Sequence, residues 1–172
     1  LENGGTGLNA STGNDGTQYY VSLPANRLEL WAWLESDRLR NPILREFYSE
    51  RDVVFEERRL RTDNQPFGKL IEQFNAIAFN AHPYHWPVVG WPGDLKTVMR
   101  EEVAVFFKQY YAPNNAIMCI VGDVNAEAAF AMMTRYFEDI PAFPEPPRPV
   151  FTDEPRQEGE RRAEVEFEAN PL

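Results

Sequence analysis

Residues 106–141 read FFKQYYAPNNAIMCIVGDVNAEAAFAMMTRYFEDIP and predict a helix, a strand and a second helix in succession. The first helix is stopped by Pro113, because proline cannot continue a helix interior. The run Ala116–Val121 (AIMCIV) is uninterrupted in its apolar character, which is typical of a strand buried on both faces. Asn125 is a good N-cap for the second helix, which carries Phe130 on its expected inner side. This succession predicts a domain that mixes α and β structure.

The flanking sequence predicts more helices than strands. Aromatic and β-branched residues predict a strand at residues 18–23 (QYYVSL), and strict alternation predicts another at residues 162–167 (RAEVEF). Apolar residues at helical spacing predict four further helices, at about 25–40, 43–61, 68–79 and 97–111, the last with Thr97 as its N-cap. The resulting order β-α-α-α-α-β-α-β fits α+β or α/β, with too few strands for a complete sheet. Either partner strands come from another segment or an N-terminal part precedes Leu1.

Composition and charge exclude several classes of protein. A length of 172 residues allows one ordinary domain, and 43% hydrophobic with 13% aromatic residues is enough for a core. A formal charge of −10 argues against a nucleic-acid-binding protein, because phosphate binding needs clustered Lys and Arg. One cysteine, Cys119, excludes a disulfide framework and a cysteine-based zinc site. The longest uncharged apolar run, Ala116–Val121, is far shorter than the ~20 residues that cross a bilayer.

Two carboxylates on the second predicted helix form a candidate site within residues 50–61 (ERDVVFEERRLR). Glu50 and Glu57 are seven residues apart, so they lie about 20° from each other around the helix axis. Phe47 and Val54 share that stripe, which indicates a partly buried face on which an unpaired carboxylate is costly. One interpretation is a solvated helix with ordinary i,i+4 ion pairs such as Glu57 with Arg61. The other is a metal ligand with a supporting acid.

No other motif in the sequence indicates a complete catalytic site. His82 and His85 (HPYH) are the two histidines, whereas catalytic zinc needs three protein ligands. We interpret them as loop residues that pack against Trp86 and Trp91. The sequence contains no Gly-x-Ser-x-Gly, no phosphate-binding loop and no plausible Cys/His pair, so nucleophilic catalysis and nucleotide binding have no support.

Six segments in order resemble the insulinase/pitrilysin family of zinc metallopeptidases, whose members carry an inverted His-x-x-Glu-His zinc motif. They are GLNASTGNDGTQYYVSLP, LESDRL, ERDVVFEE, HPYHWPVVGWPGDL, FFKQYYAPNNAIMCIVGDV and RYFEDIP, and they span about residues 4–141. The resemblance is strongest to bacterial members and to β-type subunits of the mitochondrial processing peptidase. It implies an α+β fold, here a partial insulinase-type two-layer domain with an antiparallel or mixed sheet and helices on one face.

The resemblance also implies roles for two acids and one strand. The third zinc ligand of the family corresponds to Glu57, and the supporting acid near the metal corresponds to Glu50. The edge strand that binds substrate in the family corresponds to Asn9, Ala10, Ser11 and Thr12, beside which an extended peptide adds through main-chain hydrogen bonds.

The sequence departs from the family in one respect, because it contains no His-x-x-Glu-His. In the family this motif lies upstream of the Asn-Ala segment, so we expect it before Leu1, together with two zinc ligands and the general-base Glu. We therefore expect no catalytic residue in this chain, and weak or absent zinc binding by the chain alone. The expected domains are a partial peptidase domain over residues 1–145 and a Pro-rich, charged linker with a final strand over residues 146–172.

The resemblance leaves two functions open. The first is a fragment of a zinc-dependent metalloendopeptidase with one zinc ion per active site, in which zinc polarises the scissile carbonyl of a peptide substrate. The second is a non-catalytic family subunit that acts in assembly or substrate holding. In both cases the expected partner is a second insulinase-type domain, in the same chain or in another subunit.

Overall fold

The computed structural model describes residues 2–145 and 152–168 of the chain. Two strands, β1 (Thr6–Thr12) and β2 (Thr17–Ser22), are followed within these residues by helices only. The helices are α1 (Leu28–Arg40), α2 (Phe47–Arg58), α3 (Pro66–Ala78), α4 (Pro92–Thr97), α5 (Arg100–Tyr110) and α6 (Ala126–Phe137). The fold is α+β, as predicted. It divides into two compact units, whose described parts are 2–45 with 99–145 and 46–98 with 152–168.

The two strands form an antiparallel hairpin in the first unit. Asn9 is opposite Tyr20 and Thr12 is opposite Thr17, and the register shifts between Thr6 and Asn9. Gly7 lies at this irregularity with φ +63°, a conformation that glycine adopts without a Cβ clash and that is common at bulges. The strand predicted at residues 18–23 is therefore confirmed, with bounds one residue earlier.

Helices α1 and α6 contact each other in the first unit, and small residues of both are buried. Ala32 and Ser36 on α1 are fully buried, and Ala129 on α6 is 8% exposed. Small side chains allow two helix backbones to approach closely, and the pair is further joined at its periphery by an ion pair between Arg135 and Glu29. The apolar residue Phe130, which was expected on the inner side of α6, is instead 75% exposed.

In the second unit, α2 and α3 are joined by a tight connection. α2 passes directly into a π-helical turn, Arg59–Asp63, and Pro66 then occupies the first turn of α3, where its missing N–H costs nothing. A Cβ built on Gly68 would lie 2.2 Å from the Arg61 carbonyl oxygen. The close approach of α3 to the π turn therefore requires glycine at this position.

Two predicted strands are not formed in the structure. Residues 116–121 and 162–167 have no strand assignment, and Ile117 is 99% exposed. A strand needs a neighbouring backbone to receive its hydrogen bonds, and among the described residues the sheet contains β1 and β2 alone. The apolar pattern of residues 116–121 is thus that of a buried strand, but the described residues contain no sheet with which this segment pairs.

One predicted helix start is also wrong. Thr97 is the last residue of α4 rather than the N-cap of α5. The chain is extended at Val98, and α5 begins at Arg100 with the Glu102 carboxylate accepting a hydrogen bond from the Met99 N–H at 2.8 Å. The N-cap of α5 is therefore Met99, two residues later than expected.

Candidate functional site

The two candidate acids lie on α2 in different surroundings. Glu57 has a side chain that is 43% exposed, and its carboxylate lies 2.8 Å from the Arg61 guanidinium. Glu50, one helical heptad earlier, is exposed, and its carboxylate has no hydrogen bond or ion pair within the described part of the chain. Phe47 and Val54 on the same stripe are half-buried. The expected i,i+4 pair is thus present, and the stripe is partly buried at its apolar positions.

Glu57 fits one ligand position of a zinc site. A carboxylate oxygen is an ordinary zinc ligand, and an exposed ion pair such as that with Arg61 contributes at most ~1 kcal/mol, so the carboxylate is easily released. The described residues contain no group of three or more His, Cys, Asp or Glu that could hold a metal. Within them, the donor set for catalytic zinc is incomplete.

Arg58, which directly follows Glu57, is the most buried charge described in the chain. It is 2% exposed, and one guanidinium nitrogen lies 2.7 Å from the Glu72 carboxylate and 3.5 Å from that of Asp63. Another donates a 2.9 Å hydrogen bond to the Gly90 carbonyl. Arg58 therefore joins the end of α2 to α3 and to the loop after it. No sequence signal singles out Arg58, since it is one of four arginines in the short charged run of residues 50–61.

The two histidines are packed loop residues, as interpreted from the sequence, but of the two expected tryptophans only Trp86 has a ring contact with a histidine among the described residues. The His82 ring packs against Phe79 and Tyr84, and its Nδ1 accepts a 3.2 Å hydrogen bond from the Tyr84 N–H. The His85 ring contacts Trp86 with 5.0 Å between ring centroids. His82 serves as the cap of a short 3₁₀ turn at residues 83–85. Both imidazoles are thus used in local packing and hydrogen bonding.

Glu154 binds the start of this loop. Its carboxylate accepts hydrogen bonds from three successive backbone N–H groups, at 2.6 Å (Asn80), 2.9 Å (Ala81) and 2.9 Å (His82). Together with the nearby Arg161 guanidinium, these bonds lower the pKa of Glu154 to about 2. This contact has no signal in the sequence, because an isolated Glu in a Pro-rich, charged segment does not indicate its partner.

Arg161 binds the end of the preceding helix. Its guanidinium donates to the Ile77 carbonyl at 2.7 Å and to the Ala78 carbonyl at 2.9 Å. These are among the last carbonyls of α3, which have no partner inside the helix. A cation at this position also complements the negative end of the helix dipole.

The proposed peptide-binding residues lie in β1 of the first unit. Asn9, Ala10, Ser11 and Thr12 pair with Tyr20, Tyr19, Gln18 and Thr17 of β2. They are exposed, and β1 has one unpaired edge in the two-stranded sheet of the described residues. An unpaired edge is what an incoming extended peptide requires.

Tyr19, on the neighbouring strand, contacts a second aromatic residue of the same unit. Its hydroxyl lies 2.8 Å from that of Tyr111. Partial burial and this hydrogen bond raise the pKa of Tyr19 well above its ordinary value.

No helix within the described residues is both long enough and apolar enough to cross a lipid bilayer.

Comparison with known proteins identifies the family. A family model described as the Peptidase M16 inactive domain matches residues 97–170. The chain is 38% identical over 160 residues to the zinc protease PqqE of Helicobacter pylori, covering 91% of this chain and 36% of that protein. It is 24% identical to a mitochondrial-processing peptidase subunit beta of Lentinula edodes, covering 85% of this chain and 32% of that protein.

A solved structure agrees with the sequence comparison. The crystal structure of a protease from Helicobacter pylori superposes with a TM-score of 0.84 at 37% identity, covering 92% of this chain and 39% of that one. The chain thus spans about a third of the length of the curated relatives it matches. The resemblance found in the sequence is confirmed, and the chain belongs to the insulinase/pitrilysin (M16) family of zinc metallopeptidases.

Proposed function

We propose that this chain is part of a zinc-dependent metalloendopeptidase that cleaves peptides or small proteins. Glu57 supplies one zinc ligand, and Glu50 supports the site from the same helix. Asn9, Ala10, Ser11 and Thr12 bind an extended peptide at the open edge of β1. The other two ligands and the general base come from residues outside this sequence, and the partner is a second insulinase-type domain in the same chain or in another subunit.

The observation that supports this proposal most is the state of Glu57. It lies in the last turn of α2, its carboxylate is partly exposed, and its partner Arg61 is itself 79% exposed. Such a pair is weak, so little opposes a change of partner from Arg61 to a metal ion. The buried Arg58 meanwhile fixes the adjacent turn of α2. Glu57 thus combines an accessible carboxylate with a held backbone, which is what a metal ligand requires.

A specific observation favours a second candidate, the non-catalytic family subunit. The family model that matches residues 97–170 is described as the inactive domain. A subunit of this kind would keep the fold and the peptide-binding edge of β1 without hydrolysis. Its signature is a stable complex with a partner subunit in the absence of bound zinc.

The two candidates are separated by measuring zinc and cleavage in the natural protein that carries this chain. For the peptidase we expect about one zinc ion per active site and peptide cleavage that a chelator abolishes. Glu57→Gln should remove most of both, and Glu50→Gln should cost ~10–100-fold in metal affinity or activity, as for other supporting groups around metals. The matched control is Glu56→Gln, since Glu56 lies one residue away, is 61% exposed and pairs with Arg59.

Loss of zinc in both Glu57→Gln and Glu56→Gln, or in neither, would contradict the assigned ligand. Zinc-free natural protein that still assembles with a partner would favour the non-catalytic subunit. The 172-residue chain alone, supplied with excess zinc and a mixed peptide pool, should show no chelator-sensitive cleavage, because three protein ligands are needed. Cleavage that survives His82→Ala/His85→Ala but not Glu57→Gln would show that the catalytic machinery has been misplaced.

A further inference from the structure

Two charged side chains of residues 152–168 bind opposite backbone groups at the same place in the second unit. Glu154 accepts from the N–H groups of residues 80–82, and Arg161 donates to the carbonyls of Ile77 and Ala78. We call these two side chains the clamp. Together they satisfy five backbone groups around the point where α3 ends and the loop 79–91 begins. Backbone groups at a helix end are otherwise left without partners.

The two halves of the clamp depend on each other electrostatically. A carboxylate near the carboxyl end of a helix faces the negative end of the helix dipole, which is unfavourable by itself. Arg161 places a positive charge on that end of α3, and this charge stabilises the ionised form of Glu154. Each side chain therefore makes the position of the other favourable. A contact built in this way is expected to act as one unit rather than as two separate bonds.

Both elements that the clamp holds also lead to Arg58. α3 carries Glu72, whose carboxylate lies 2.7 Å from the Arg58 guanidinium. The loop 79–91 carries Gly90, whose carbonyl accepts a 2.9 Å hydrogen bond from Arg58. Arg58 is 2% exposed and ends α2, one residue after Glu57. A helix and an ordered loop thus connect the clamp to the turn that bears Glu57.

We infer that Glu154 and Arg161 are positioning residues that hold the end of α2, and with it Glu57, through α3, the loop 79–91 and Arg58. This inference rests on the proposed function of Glu57 as a zinc ligand. The clamp itself touches neither metal nor substrate. Its role is to keep the two acceptors of Arg58, the Glu72 carboxylate and the Gly90 carbonyl, at a fixed separation. A movement of either acceptor would release the guanidinium and loosen the last turn of α2.

The test uses the full natural protein that carries this chain, with Glu154→Gln, Arg161→Met and the double variant. Hydrogen exchange measured on peptides should become about tenfold faster at residues 79–85, where charge-assisted bonds are lost. It should also become faster at residues 55–61, although the hydrogen bonds described for both mutated side chains go to residues 77–82 instead. Zinc affinity, measured by competition of Zn²⁺ with a chelating dye, should fall ~3–10-fold, the lower end of the effect known for groups that support metal ligands.

Two controls separate positioning from general destabilisation. Glu158→Gln changes an exposed carboxylate of the same segment and should alter none of these readouts. Asn125→Ala removes the cap of α6, whose side-chain oxygen accepts from the Ala128 N–H at 2.9 Å. This variant should lower the melting temperature without changing exchange at residues 55–61 or zinc affinity. The double clamp variant should lose little more than either single variant.

The possible results either support or overturn the inference. Faster exchange at 79–85 and at 55–61 with weaker zinc binding supports it. Unchanged exchange at 55–61 overturns it, as does unchanged zinc affinity when Glu57→Gln loses zinc in the same experiment. If Glu57→Gln keeps its zinc, the proposed function has failed and the inference falls with it, and that outcome is visible in the Glu57 variant alone.

Discussion

Replacing Arg58 by methionine tests the reasoning about the second unit most directly. The Arg58 side chain is 3% exposed, and its partner Glu72 is 13% exposed. Truncating one member of a buried pair leaves the other charge buried, which costs ~3–5 kcal/mol, and Glu72 would keep only the more distant Lys69 ammonium, at 4.0 Å, among the described residues. Arg58→Met also removes the donor to the Gly90 carbonyl. We therefore expect the free energy of unfolding to fall by ~3–5 kcal/mol. The corresponding decrease in melting temperature is ~6–20 °C.

The neighbouring arginine provides the matched control. Arg59 makes the same kind of ion pair, with Glu56 at 2.7 Å, but both side chains are more than half exposed. Arg59→Met should therefore cost at most ~1 kcal/mol. Urea denaturation of the natural protein, followed by circular dichroism, compares the two variants.

A double variant then separates the cost of leaving a buried charge unpaired from the cost of replacing the Arg58 side chain itself. Arg58→Met/Glu72→Met removes both charges, and replacing a buried pair by apolar residues is often neutral or stabilising. The unpaired Gly90 carbonyl still costs ~1–3 kcal/mol. The double variant should therefore be more stable than Arg58→Met and less stable than wild type. Two results would refute this interpretation. One is an unfolding free energy of Arg58→Met within ~1 kcal/mol of that of Arg59→Met. The other is a double variant that is less stable than both of these single variants.

Two further predictions concern packing and pH. Gly68→Ala should destabilise the protein by ~1–3 kcal/mol, because its Cβ meets the Arg61 carbonyl. Gly93→Ala is the matched control, because Gly93 lies in α4 and no atom lies within 4 Å of the new Cβ. This variant should be neutral or more stable by up to ~1 kcal/mol. Equal changes in stability for the two variants would contradict the close approach at Gly68. Because the pKa of Glu154 is lowered in the fold from 4.5 to about 2, its contribution to stability is complete above about pH 5 and is lost as pH falls towards 2. The difference in unfolding free energy between wild type and Glu154→Gln, measured in denaturation curves, should therefore become smaller as pH falls over this range. A difference that does not change with pH would argue against the clamp.

Much of the local structure followed from the sequence because its causes lie within a few residues. The breaker Pro113, the cap Asn125 and the helical spacing of apolar residues each act on their own neighbourhood, and the helices predicted there are present. The resemblance to the M16 family was likewise carried by local segments, and the comparisons confirm it. The roles assigned to Glu57, Glu50 and residues 9–12 stay predictions.

The burial of individual side chains was predicted less well, since burial depends on which other element lies opposite. Phe130 and Ile117 have the pattern of core residues and are exposed. Residues 116–121 and 162–167 have the pattern of strands and lie unpaired in the structure. A hydrophobic pattern indicates which face of a helix or strand is apolar. Whether that face is buried depends on another helix or strand that packs against it in the fold.

The sequence by itself determined the class of fold, the positions of most helices and the family, because breakers, caps and periodicity act over one or two turns. The tertiary structure alone decided which of many similar charges matter. Glu154 and Arg161 stand 72 and 83 residues or more from the backbone groups they bind, and Arg58 differs from Arg59 only in what surrounds it. The strength of a charge contact depends on desolvation and on the geometry of its partners. Neither quantity exists until distant parts of the chain have been brought together.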